Sequence, residues 1–337
     1  MTTEKTRPRV LSGVQPSGDL HIGNFVGALG QWVEMLDDYD CFFCIVDLHA
    51  LTSTRKATGS TVASRARDVA ALYVACGIDP SRATIFVQSQ VPEHSELMWL
   101  LTCSTPLGAL QRMTQFKGKS GQTDSIEAGL LVYPVLQAAD ILLYDTEIVP
   151  VGDDQRQHIE LTRDIAQKFN AVHGETFVLP RARVPLTGAR IMGLDDPDKK
   201  MSKTDAVIHP NHSIGLLSSE SVIRKRIARA VTDSGDYVEA DSEALSAGVR
   251  NLVEILASFD HLSFDEALRR VAGESYGKLK ETVADSIVST TEPIRERYEA
   301  LRADEAELDR ILQDGAEKAS EVARRTLLRA QTALGIR

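Results

Sequence analysis

Along the first half of the chain, short apolar runs alternate with stretches whose apolar positions recur every three or four residues. "RPRVLSGV" predicts a strand, and the pattern from His21 to about Asp37 predicts a helix. "CFFCIVDL" predicts a second strand, Gly59 to Gly77 a second helix, and "DPSRATIFVQS" a turn followed by a third strand. Pro92 then opens a helical stretch running through Cys103, a position where proline costs no backbone hydrogen bond. Strand and helix in strict alternation predict a parallel sheet with right-handed crossovers, a doubly wound α/β fold. The second strand is apolar on both faces, as a central parallel strand should be. "QFKGKSGQTDS" predicts a surface loop, followed by a long helix from about Ser125 to Leu143, a short strand "EIVPV" and a helix "DDQRQHIELTRDIAQKFN" with acids in its first turn. From Pro180 the character changes. "DDPDKKMSKTD" is a charged loop, and beyond Ser213 the pattern is almost wholly helical. This predicts an α/β domain over 1–195 and a smaller all-helical domain over 196–337, with the boundary near 190–205.

Composition narrows the classes. A chain of 337 residues is long for one core, which agrees with two domains. The formal net charge of −10 argues against non-specific nucleic-acid binding. A specific nucleic-acid partner would need a local basic patch, and "SVIRKRIARA" offers Arg224, Lys225, Arg226 and Arg229; a solvated helix face is the plainer reading of that run. The longest apolar segment, "AGLLVYPVLQAADILLY", is broken by Pro134, Gln137 and Asp140, so no membrane span is expected. "MTTEKTRPRV" has charges with no apolar run behind them, so no secretory signal is expected either. Cys41 and Cys44 form a C-x-x-C, but strand alternation sends them to opposite faces and no second pair completes a zinc site. They are expected to be small buried hydrophobes in a cytoplasmic protein, with no protein-built metal site.

The candidate chemistry begins with "GVQPSGDLHIGN", residues 13–24, between the first strand and the first helix. Ligands of parallel α/β sheets bind at the carboxyl ends of strands, and a helix amino terminus suits phosphate. Gly18 and Gly23 permit close backbone approach. The spacing matches neither the dinucleotide fingerprint nor the phosphate loop with its terminal lysine, and a tight turn alone would account for it. His21 and Asn24, at i and i+3, add two hydrogen-bond donors on one helix face. A second element, "KKMSKT" at 199–204, places Lys200 and Lys203 around Ser202 in a charged loop.

Together, HIGN and KMSKT resemble the HIGH and KMSKS motifs of class I aminoacyl-tRNA synthetases. With "CFFCIVDLHALT", "RMTQFKGKS", "YPVLQAADILLY", "VPVGDDQRQHIELTRDIAQKFN", "GARIMGLDDPDKKMSKT" and "AVTDS", the chain is similar over nearly its whole length to the bacterial tryptophanyl-tRNA synthetases. The resemblance implies a Rossmann-like catalytic domain that joins L-tryptophan to ATP and passes the aminoacyl group to tRNA(Trp). It implies an ATP site at Gln15, Gly23, Asn24, Asp154, Ile191, Lys200, Met201, Ser202 and Lys203, with Gly188 to Met192 beside the adenine and Asp154 near the ribose. His21 and Asn24 would stabilise phosphate charge. Asn24 stands where the wider class has a second histidine, and an amide can donate a hydrogen bond but not titrate. Lys200, Lys203 and Lys119 would grip the leaving pyrophosphate. Mg2+ is implied with ATP. A homodimer is implied, meeting near the Pro92–Phe116 region, with the carboxyl-terminal helices reading the anticodon.

For the amino-acid pocket the resemblance implies Leu11, Gly13, Gln15, His49, Tyr133, Gln137, Asp140, Ile141, Val151 and Gln155. Tyr133, Gln137 and Asp140 lie at i, i+4 and i+7 on one helix face. An acid on an apolar face is costly unless paired. The family's pairing is with the indole N–H, while a purely structural partner inside the protein is the other reading. His49 is likewise either a pocket residue or a core histidine. Gln137 is shared with tyrosyl enzymes, so this triplet does not separate the two substrates. Leu11 does: tyrosyl enzymes place a tyrosine there to bond the phenol, and loss of such a partner is worth about 10⁴–10⁵ in discrimination. Asp153 also departs from the glycine favoured by tyrosyl enzymes. Besides a tyrosyl enzyme, the open alternatives are another nucleotidyltransferase and a non-catalytic RNA-binding paralogue.

Overall fold

Five parallel strands form one sheet in the order β3-β2-β1-β4-β5, where β1 is Arg9–Val14, β2 Asp40–Ile45, β3 Ala83–Val87, β4 Ile148–Pro150 and β5 Arg181–Arg183. The computed structural model describes residues 7–16, 20–52, 62–116, 127–152, 155–183 and 191–337. Strand order reverses between β1 and β4, which pair at Val10 and Ile148, so the crevice beyond the carboxyl end of β1 is the topological switch point. β2 is buried along nearly its whole length, as its unbroken apolar run requires. Burial pushes the Cys41 thiol up to about 12 and raises the Cys44 thiol well above the ordinary range, so both are inert packing groups. β5, the exposed "RAR" after Pro180, carries no apolar signal and was not foreseen from the pattern.

The main helices are α1 (Val62–Ala75), α2 (Glu93–Ser104), α3 (Ala128–Leu142), α4 (Arg156–His173), α5 (Glu220–Ala228), α6 (Ala247–Phe259), α7 (Phe264–Val271), α8 (Tyr276–Ala303) and α9 (Glu305–Ala333). The helix expected over 21–37 is α-helical at Ile22–Asn24, π-helical at Phe25–Leu29 and α-helical again at Gly30–Met35. Such π segments are rare and concentrate at functional sites. Among the described residues, no helix is long and apolar enough to cross a membrane.

The chain divides into two compact units, and neither is the contiguous segment expected from the sequence. One contains the whole sheet with α1 to α4 and, unexpectedly, α9; the other contains the described residues of 18–34 together with α5 to α8. The correction at the carboxyl end has a clear physical cause. Leu308, Leu312, Gly315, Ala316, Ala319, Ala323 and Leu327 recur at helical spacing and are buried on α9. At Gly315 the α9 backbone rides so close to β3 that an added Cβ would stand 1.8 Å from the Ile85 carbonyl oxygen. A helix that packs backbone to backbone on the sheet belongs to the sheet's core, whatever its distance along the chain. The unit also carries exposed ion pairs such as the forked Arg67–Asp309 contact at 2.7 Å. Arg67→Ala should cost about 0–1 kcal/mol, read as a shift of melting temperature of a few degrees at most, because solvent screens the pair.

Candidate active site

In the unit that contains α5 to α8, the two motifs are brought together by backbone pairing. Residues 20–22 run antiparallel to 214–216: the Ile22 N–H bonds the Ile214 carbonyl at 2.9 Å and the Leu216 N–H bonds Leu20 at 2.8 Å. Ile191–Gly193 pairs antiparallel with Lys199–Met201, through Met201 N–H to Ile191 O at 3.1 Å and Gly193 N–H to Lys199 O at 2.8 Å. Met192 is fixed a second time by Asn251 of α6, which accepts from its N–H at 2.9 Å and donates to its carbonyl at 3.1 Å, as a neighbouring strand would. Gly23 lies against the His21 ring and Ile191: an added Cβ would meet His21 Nδ1 at 3.0 Å and Ile191 Cβ at 3.6 Å. Ile22, Ile191 and Met201 are buried in one core cluster. HIGN and KMSKT are thus neighbours, held by isolated β-bridges and a shared core.

The side chains follow from this frame. Asn24 Oδ1 accepts from the His21 backbone N–H at 3.1 Å, which turns the other end of that amide, a donor, away from the bond. Ser202 caps the short helix Lys203–Ile208, its Oγ accepting from Asp205 N–H at 3.1 Å. Lys200 is exposed while Met201 beside it is buried, so the backbone is anchored and the charge faces solvent. His212, buried, bonds Asp195 Oδ1 through Nδ1 at 2.6 Å and the Lys200 carbonyl through Nε2 at 3.3 Å. Its ring occupies the space above Gly193, where an added Cβ would be 2.1 Å from Cε1. His212, Gly193, Asp195 and Asn251 are supports that sequence reasoning missed. The basic run is partly consumed internally: Arg224 pairs with Glu220 and Asp285, each at 2.7 Å, and Arg226 donates to the Ser213 carbonyl. Lys225 and Arg229 remain exposed.

In the unit that contains the sheet, Asp140 is the centre of a buried polar cluster. Its Oδ1 accepts from His94 Nδ1 at 2.6 Å and from Gln88 Nε2 at 2.8 Å. Its Oδ2 accepts from the same Gln88 Nε2 at 2.8 Å and from His49 Nε2 at 3.0 Å. Each donor is oriented from behind. Gln88 Oε1 accepts from the Leu48 N–H at 3.1 Å, which settles which end of the amide faces Asp140. His94 Nε2 contacts the Tyr144 hydroxyl at 2.7 Å. Burial alone would raise the Asp140 carboxyl, but the His94 imidazole and the hydrogen bonds from His49 and His94 outweigh it and hold the group well below the usual carboxylate range. Gln88, His94 and Tyr144 were not foreseen. The signal was present in "QSQVPEH", a polar run at the carboxyl end of a strand.

The other expected pocket residues take definite places. Leu11 is buried in β1 and pairs with Phe42, while Gly13, at the exposed end of the strand, approaches β2 so closely that an added Cβ would be 2.5 Å from the Cys44 carbonyl oxygen. Gln15 follows the end of β1 and is half-buried, as is Val151 just beyond β4. Tyr133 stands edge-on to His49, ring centroids 6.2 Å apart. Its hydroxyl donates to Gln115 Oε1 at 3.2 Å and meets His158 Nε2 at 2.9 Å, two further partners the sequence did not announce. Burial pushes the Tyr133 phenol up to about 12, so it serves as a neutral group. Gln137 is half-buried on the same helix, Ile141 is wholly buried in the core behind it, and Gln155 stands at the N-cap of α4. Lys119 and Asp154 lie outside the described residues, as does the expected adenine border before Ile191; of Lys203 only the backbone is described. Among the described residues, no group of three or more His, Cys, Asp and Glu side chains could hold a metal ion.

Comparison with known proteins places the chain in one family. The family model described as tRNA synthetases class I (W and Y) matches residues 3–292. A tryptophan–tRNA ligase from Halalkalibacterium halodurans is 48% identical over 327 residues, covering 97% of each chain. The crystal structure of tryptophanyl-tRNA synthetase from Campylobacter jejuni complexed with ADP and tryptophan is 38% identical, with a TM-score of 0.82 over 97% of this chain and 99% of that one. That of the tryptophanyl-tRNA synthetase from Mycoplasma pneumoniae is 34% identical, with a TM-score of 0.84 over 98% of both. The chain therefore belongs to the class I tRNA synthetases of the W and Y family.

Proposed function

We propose that this chain activates L-tryptophan with ATP to tryptophanyl-adenylate and transfers the aminoacyl group to tRNA(Trp), releasing AMP and diphosphate. The observation that carries the adenylation chemistry is the joining of HIGN and KMSKT in one unit, through Gly23 against Ile191 and the pairing that anchors Lys200 and Met201. The choice of tryptophan rests on the 48% identity to a tryptophan–tRNA ligase and on apolar Leu11, where a tyrosyl enzyme would bond a phenol.

In this reading the tryptophan carboxylate attacks the α-phosphorus of ATP, a phosphorus–oxygen bond forms, and the bond to the bridging oxygen breaks as diphosphate leaves. No enzyme nucleophile is needed, so catalysis consists of positioning and charge stabilisation. His21 and the Asn24 amide donate toward the phosphates, and Lys200, Lys203 and Lys119 neutralise the departing diphosphate. Met201, Ser202, Ile191, Gly23, Gln15 and Asp154 shape the ATP site. Gln15 and Gln155 hold the tryptophan carboxylate and ammonium, and Asp140 receives the indole N–H between Tyr133, Gln137, Ile141, Val151, Leu11, Gly13 and His49. Mg2+ would accompany the ATP phosphates. Lys225 on α5 and Arg229 just past its carboxyl end are exposed cations available to tRNA. The dimer is proposed to close over α2 and the segment after it, where Trp99 is 64% exposed and Leu107 58% exposed. Free thiols at Cys41, Cys44, Cys76 and Cys103 support a reducing, cytoplasmic setting.

Amino-acid-dependent ATP–pyrophosphate exchange, run over all twenty amino acids, tests the reading. Exchange is expected with tryptophan alone; exchange driven by tyrosine, or by none, would overturn it.

A further inference from the structure

Asp140 is ringed by protein donors. An ionised carboxylate offers about four lone-pair directions. Gln88 Nε2, 2.8 Å from both oxygens, is shared between them, while His94 adds a second contact on Oδ1 and His49 a second on Oδ2. An indole N–H that reaches this carboxylate therefore competes with one of these donors for its place. The three donors are not equally fixed. Gln88 and His94 are both 0% exposed, and each is tied at its far end, to the Leu48 N–H and to the Tyr144 hydroxyl. His49 is 6% exposed and makes the longest bond of the set, 3.0 Å. It sits on the short helix Asp47–Ala50, edge-on to the Tyr133 ring that belongs to the pocket face of α3.

We infer that Gln88 and His94 are positioning residues that hold Asp140 in a fixed orientation, and that His49 is an exchangeable donor whose place on Oδ2 the indole N–H takes over. The inference rests on the tryptophan reading above and adds to it a donor exchange. The exchange has a consequence for selectivity. A substrate without an N–H leaves His49 on the carboxylate, so the buried charge is never short of a donor. Wild-type protein should therefore reject such a substrate only weakly, although a buried carboxylate lies in the pocket.

The test compares L-tryptophan with 3-benzothienyl-L-alanine, which carries sulfur in place of the indole N–H, in pyrophosphate exchange. In His49→Ala the analogue leaves Oδ2 short of a donor while tryptophan still fills it. The ratio of the two kcat/KM values should rise about tenfold or more in favour of tryptophan relative to wild type, the worth of one hydrogen bond to a charged group. A ratio that stays at the wild-type value, or falls, overturns the exchange. In the second arm, His94→Phe should raise the tryptophan KM about tenfold with the ATP KM unchanged, and His94→Gln, which restores a donor, should recover most of it. Equal losses in both His94 variants would overturn the positioning role. If His94→Phe fails to fold, the His49→Ala ratio decides alone. Wild-type protein that activates no tryptophan is seen before any analogue is measured; it overturns the tryptophan reading itself and the exchange with it.

Discussion

Asp140→Asn is expected to lower kcat/KM for tryptophan at least about 100-fold while leaving the ATP KM within about threefold. The substitution is nearly isosteric, so the loss comes from hydrogen-bond sense and charge. The carboxylate accepts from His94 and Gln88 on one oxygen and from Gln88 and His49 on the other. An amide at 140 must turn an NH2 toward one of these pairs, donor against donor, and each buried group left unsatisfied costs about 1–3 kcal/mol. Tryptophan then meets a displaced acceptor carrying no charge, whereas HIGN and KMSKT, the elements proposed for ATP, belong to the other unit. Pyrophosphate exchange with each substrate varied in turn separates the two effects. A tryptophan KM and kcat both near wild type would remove Asp140 from the site.

The same substitution should change the acid side of the stability curve. The folded carboxyl binds its proton less readily than the ordinary aspartate of the unfolded chain, near 3.9. The unfolded state therefore takes up more protons in acid, and the cluster's contribution is complete above about pH 5 and fades as pH falls below it. Asp140→Asn should be less stable than wild type at neutral pH, and the difference should narrow toward pH 3. Urea unfolding across that range checks it; a gap that widens in acid would show that the cluster does not favour the ionised form.

How much of this was legible beforehand depended on whether a residue's role lies in its own stretch of chain. β1, β2 and β3 were readable because a buried parallel strand is a continuous apolar run, and α2, α3 and α4 because burial of one face imposes a helical period. β5 was not, since "RAR" at a sheet edge is bound by backbone hydrogen bonds alone. The interruption of the first helix by π geometry left no mark in the pattern of apolar residues. The domain division failed for a related reason. α9 has an ordinary helical period, and its place on the sheet shows only in the fold, where its buried face joins the sheet's core and Gly315 is pressed against Ile85. HIGN and KMSKT were legible as motifs, and Asp140 and His49 as candidates. Gln88 and His94 were not, because the four residues arrive from separate elements and meet only where their polar atoms converge.

The ATP-side frame makes an equally strong prediction. Gly193→Ala should lower the rate of adenylate formation about 100-fold while leaving tryptophan affinity, measured without ATP, within about twofold. An alanine Cβ would stand 2.1 Å from His212 Cε1 and 2.5 Å from Nδ1. The ring cannot swing aside cheaply, because it is buried and held at Asp195 and at the Lys200 carbonyl. The bridged segments must move instead, and they carry Lys200 and Met201 with them. Since the reaction depends on placing charges against a transferring phosphoryl group, a displacement of about 1 Å suffices for a 100-fold loss. The clash has a single named partner, so removing that partner is a clean control. His212→Ala alone should slow the enzyme only modestly, and the Gly193→Ala/His212→Ala double variant should recover a large part of the loss, a positive coupling between two neighbours. A double variant no faster than Gly193→Ala would mean that Gly193 is needed for its backbone rather than for room beside His212. Wild-type rates in Gly193→Ala would mean that the hairpin bearing KMSKT tolerates displacement, and that the rigidity of this frame is not what positions Lys200.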